Sequence, residues 1–86
     1  MKQVTVRVTR KHIKEGKRGD ALSCPIALAL QDAGVSDPLV GSDQFDGYRS
    51  KRFVSGCLTR RAQTFIERFD DKKPVKPATF RLKVSR

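Results

Sequence analysis

A small α+β domain is predicted for this chain, on three observations. Val4, Val6 and Val8 alternate with Thr5, Arg7 and Thr9, and Phe80, Leu82 and Val84 alternate with Arg81 and Lys83, so a half-buried strand lies near each end. The apolar run PIALAL at 25–30 follows a capping position and closes before Gly34, as a buried helix does. Ala62, Phe65, Ile66 and Phe69 recur at i, i+3, i+4 and i+7, which is one face of a second helix. Residues 1–86 are too few for more than a single domain with a small core.

Each element follows in order. After the strand at Val4–Val8, RKHIKEGKRGD at 10–20 is a basic connection with two glycines and room for a helical turn at Lys11–Glu15. The first helix covers about 24–33. Val35 to Pro38 is a turn, Leu39-Val40 a short strand, SDQFDG at 42–47 a turn-rich stretch, and Tyr48 to Val54 a strand with weaker alternation. Thr59 caps the second helix, about 60–71, with Lys72 and Lys73 at its negative end and Pro74 and Pro77 stopping it. The order is β-α-β-β-α-β. Short parallel crossovers through helices then give a split βαβ, ferredoxin-like sheet with both helices on one face. Its other face is expected to show Thr5, Arg7, Arg81 and Lys83.

The net charge is +10 and is unevenly placed. Residues 1–18 hold seven Lys/Arg against Glu15 alone, residues 19–47 hold five Asp and no Lys or Arg, and residues 48–86 hold twelve Lys/Arg against Glu67, Asp70 and Asp71. Such an excess points to a polyanion partner, nucleic acid above all, with an acidic protein as the other class. No apolar run approaches the ~20 residues that span a bilayer. MKQVTVRVTRKH at the start has no apolar signal block. A cytoplasmic protein with free thiols and no membrane partner is therefore expected.

Three residues could carry chemistry: His12, Cys24 and Cys57. Cys24 stands at the entry to the first helix, where a thiol loses a proton more easily, or serves only as a small crowded cap. Two cysteines and one histidine fall one short of a closed structural zinc site, and no orienting group for a Cys–His nucleophile is evident. No cofactor, no metal and no enzymatic activity are expected. Helix N-termini do attract anions. In a split βαβ sheet both helices start at one edge, where Lys14, Lys17, Arg18, Arg60 and Arg61 would converge. Phe65, Phe69 and Phe80 read as core, while Phe45, Tyr48 and Phe53 are left open. RSKRFVSG at 49–56 shares with an RNA-recognition core motif only the pair Phe53-Val54, so backbone contact is favoured over base readout.

The I-x-x-G…C-P-I-A-L-A-L block and the F-I-x-x-F-D…P-V-x-P-x-x-F-x-L block cover a little over half the chain. Together they resemble a group of short uncharacterised bacteriophage and prophage proteins. The resemblance implies an accessory protein acting in the cytoplasm of an infected bacterium, and brings no activity, site or ligand with it. The first expectation is thus a non-enzymatic protein that grips nucleic-acid backbone through Arg7, Lys14, Lys17, Arg18, Arg60, Arg61, Arg81 and Lys83. The second is an interaction module that docks on a host enzyme through an acidic groove and inhibits or redirects it. A homodimer through an exposed edge strand at 39–41 or 78–84 stays open.

Overall fold

The computed structural model describes residues 2–84. The chain order is β1 (Lys2–Val8), α1 (Arg10–Glu15), α2 (Pro25–Asp32), β2 (Ser36–Val40), β3 (Gln44–Arg49), β4 (Arg52–Cys57), α3 (Arg60–Asp70) and β5 (Ala78–Val84). The architecture is α+β, as the alternation and the helical periods predict. The split βαβ topology is not what forms. The sheet has five strands in the order β1-β5-β4-β3-β2, and every neighbouring pair is antiparallel.

Two local features account for the difference. SDQFDGYRSKRFV folds as a hairpin rather than as a loop and one strand. β3 and β4 pair from Gln44↔Cys57 to Arg49↔Arg52. Ser50 and Lys51 make the two-residue turn, with φ of 51° and 66°. Hairpins favour Asn-Gly or Asp-Gly at such positions, because those residues enter the left-handed region easily. Ser-Lys hides the turn from a sequence reading. The second feature is the pairing of the two termini. β1 lies along β5 from Lys2↔Val84 to Val8↔Ala78, so β1 is an edge strand and not a central one. The chain then crosses from that edge to the opposite edge, β2, by way of α1 and α2.

Among the described residues, the β1–β5 ribbon and the β2–β3–β4 meander meet over two rungs, Gly56↔Val84 and Cys57↔Lys83. α2 packs against both edge strands, β1 and β2, so the sheet curls around it. Ala27 and Ala29 are fully buried and let the helix lie close. The concave face is filled by Val4, Val6, Val8, Phe45, Val54, Phe80 and Leu82 from the sheet with Ile26, Leu30, Ala62 and Phe65 from the helices. Burying each large member of that set contributes about 1.5–3 kcal/mol. All three helices are thus committed to one side.

The helix entries are capped as their sequences allow. Thr9 accepts from the His12 N–H, and the His12 ring returns the contact: its Nδ1 accepts from the Thr9 N–H at 3.0 Å. That bond leaves the ring proton on Nε2, which donates to Asp32 Oδ2 at 2.6 Å. His12, 6% exposed, therefore ties α1 to the end of α2. Thr59 caps α3 by accepting from the Ala62 N–H at 3.1 Å.

Candidate nucleic-acid interface

The convex face of the sheet stays open. Alternation puts Thr5 and Arg7 of β1, and Thr79, Arg81 and Lys83 of β5, on that side, all exposed. Thr5 is the register partner of Arg81, and Arg7 of Thr79. The outward placement of Thr5, Arg7, Arg81 and Lys83 agrees with the sequence reading, because the face a residue occupies depends on alternation and not on strand order. Lys83 stands opposite Cys57, whose thiol is exposed. From Cys57 the same face continues along β4 through Ser55 to Phe53, and on β3 through Gln44 and Asp46 to Tyr48. A continuous strip of outward side chains thus joins a cationic end to an aromatic end, with half-buried Asp46 the carboxylate along it.

Tyr48 and Phe53 are a cross-strand pair on this strip. Their ring centroids lie 5.7 Å apart at an interplanar angle of 75°, and the two residues are 43% and 54% exposed. The next rung sets Arg49 directly opposite Arg52, with Lys51 in the turn. Like charges placed opposite one another repel. Among the described residues, the one contact within 4.0 Å between a basic side chain and a carboxylate is the His12–Asp32 hydrogen bond, so neither arginine has a described carboxylate beside it. Tyr48 and Phe53, left open in the sequence, and Lys51 and Arg52 are not among the binding residues expected from it. Their signal was Y-R-S-K-R-F, in which aromatic and basic residues mirror each other about a two-residue turn.

The remaining cations named from the sequence are on the helical side. Lys14 ends α1 and Lys17 lies in the loop after it, both exposed. The Arg18 guanidinium lies 5.5 Å over the Phe69 ring, and that of Arg61 lies 5.4 Å over the Phe80 ring. Each stacks on an aromatic of the helical layer and covers apolar surface. Arg60 is exposed in the first turn of α3. None of the five lines the cleft at the start of α2. That cleft, of about 320 Å³, is lined by Asp20, Cys24, Gln63, Ile66, Glu67 and Asp70 among others, with carboxylates as its only charged groups. Asp70 also accepts from the Gly19 N–H at 2.9 Å. The α2 entry therefore faces negative charge, and the convergence of helix starts and cations expected for a split βαβ sheet does not form there.

Cys24 is the N-cap of α2, its Sγ accepting from the Ala27 N–H at 3.4 Å. Burial pushes its thiol pKa up. The Ala27 and Ile26 N–H groups pull the other way, and Asp70 and Asp20 add to the rise. A thiol held protonated is a poor nucleophile and a poor metal ligand. Among the described residues no three His, Cys, Asp or Glu side chains group as metal ligands, so His12, Cys24 and Cys57 are not brought together. Nor is any described helix long and apolar enough to cross a membrane.

Comparison with protein-family models, with curated proteins and with solved structures finds no significant match to this chain.

Proposed function

We propose that this protein is a non-enzymatic nucleic-acid-binding protein whose convex sheet face grips the sugar-phosphate backbone. The observation that carries the reading is uncompensated charge. The net charge is +10, yet no Lys or Arg among the described residues lies within 4.0 Å of a carboxylate. Holding so many cations unpaired costs self-repulsion, which a polyanion relieves while its own counterions are released. Arg7, Arg81 and Lys83 stand on an exposed face that no helix covers, where a strand of phosphates can lie along the β1–β5 ribbon. Lys51 in the hairpin turn adds a further cation at the far end, while Arg49 and Arg52 alternate onto the opposite face. Arg18 and Arg61, laid over aromatic rings, are assigned to covering the core instead.

The setting we infer is that of a phage accessory protein in the bacterial cytoplasm. It rests on the two sequence blocks quoted above.

Fluorescence anisotropy of a labelled oligothymidylate, titrated at low and at moderate salt, tests the function. Binding that weakens steeply with salt is expected, together with a clear loss in the Arg7→Ala, Arg81→Ala, Lys83→Ala triple variant. No binding at low salt would dispose of the reading. Retention of an acidic protein from nuclease-treated lysate, without any nucleic-acid affinity, would favour the host-protein alternative.

A further inference from the structure

We infer that the β3–β4 hairpin is a stacking platform for unpaired bases, so that the nucleic acid this protein takes is single-stranded; the inference rests on the nucleic-acid reading above and narrows it. Charge alone does not choose between duplex and single strand, because both present phosphates. The aromatic end of the strip does choose. A duplex keeps its bases stacked on one another and offers little to a ring on a convex protein surface. A single strand can lay a base on an exposed ring, which any base accepts because every base has a π-face.

Three features of the hairpin fit that ligand. Tyr48 and Phe53 are among the exposed large apolar side chains of the chain, and they form one pair rather than two scattered rings. Their place on the sheet is fixed by strand register and by packing on the opposite side, where Val54 and Phe45 are buried and Gly47 lies against Val35. The platform is therefore held by the core and not by a loose loop. Cations stand near both ends of it. Lys51 lies in the turn, flanked by Arg49 and Arg52 on the opposite face, and Lys83 lies past Cys57, two alternate positions along β4 and one strand across. At about 3.3 Å per residue, Phe53 and Cys57 are about 13 Å apart along the strand, so a short run of nucleotides reaches from the rings to Lys83.

An exposed apolar pair could instead seat a protein. Lys51 and Lys83 toward its two ends, against the single carboxylate of Asp46 on the strip, favour a polyanion with flat apolar faces.

Tyr48 is the chain's one tyrosine and there is no tryptophan, so intrinsic emission reports on this platform alone. Unlabelled oligothymidylate about 12 nucleotides long is expected to quench it, and a duplex of equal length is expected to quench it little. In anisotropy titrations the wild type is expected to bind the single strand more tightly than the duplex. Phe53→Ala and Tyr48→Ala are expected each to weaken single-strand binding by about tenfold and leave duplex binding almost unchanged. Phe53→Leu keeps an apolar side chain without a ring face and is expected to behave as Phe53→Ala, which separates stacking from folding. Equal affinity for both probes, with Tyr48 emission unmoved and the ring variants unaffected, would overturn this inference and leave the backbone-binding function standing. Failure to bind either probe would overturn both.

Discussion

Cys57 of β4 and Lys83 of β5 stand opposite each other on the convex face, at one of the two rungs that join the ribbon to the meander among the described residues. The other rung is Gly56↔Val84. Among the described residues, the joint lies at the C-terminal ends of both strands. It is also where the cationic and aromatic parts of the open face become one surface. What holds the joint bears on both stability and binding.

Gly56 permits it. A Cβ at this position would press into the Lys83 carbonyl oxygen and come within 2.7 and 2.9 Å of the buried Phe45 ring. Backbone and a core aromatic cannot both give way. Gly56→Ala is expected to cost about 3 kcal/mol, at the upper end of overpacking penalties. A denaturant midpoint shifted to much lower concentration with an unchanged slope would show it. A shift below about 0.5 kcal/mol, the usual range of surface changes, would mean that the joint is looser than described.

The salt dependence of binding should identify which cations touch phosphate. For a single strand each neutralised phosphate adds about −0.7 to the slope of log affinity against log salt. Arg81→Ala with Lys83→Ala is expected to make the slope shallower by about 1.4. Arg60→Ala with Lys14→Ala, on the helical side, is expected to leave it nearly unchanged. The reverse pattern would move the interface to the helices.

Cys24 sets a pH dependence of stability. Its folded pKa is raised, chiefly by burial, above the ordinary thiol value. The contribution is complete below the unfolded pKa and is lost as pH rises through the folded one. Stability is therefore expected to fall above about pH 9.0, the ordinary value. Cys24→Ser keeps a capping atom without the titrating thiol, and is expected to flatten that fall. Equal alkaline profiles for the two proteins, measured by thermal unfolding, would exclude Cys24 as the source.

How much of this was legible in the sequence depended on the range of the interaction. Val4–Val8 and Phe80–Val84 declared their inner and outer faces by alternation alone, so Arg7, Arg81 and Lys83 could be placed outward before any strand order was known. Ala62, Phe65 and Phe69 likewise gave away α3. Strand order is a non-local choice, and nothing within β1 says that it pairs with β5 rather than beside β4. The hairpin was hidden by Ser50-Lys51 in a turn that favours Asn or Gly, and by the polar look of SDQFDG, although Phe45 within it is fully buried. With the hairpin went the aromatic half of the open face. For the expected anion site at Arg60 and Arg61, what the sequence does not show is that the Arg61 guanidinium lies over the Phe80 ring, a contact that only tertiary packing reveals.

The most direct test of the open face as the binding surface uses its own chemistry. Cys57 is exposed at the centre of the strip, while Cys24 is buried at a helix entry. Iodoacetamide at mildly alkaline pH should modify Cys57 and spare Cys24 in the folded protein. Saturating oligothymidylate at low salt is expected to slow Cys57 alkylation by about tenfold or more, since bound strand would lie across the thiol. An alkylation rate that does not change while anisotropy shows the oligonucleotide bound would place the ligand elsewhere and contradict the account.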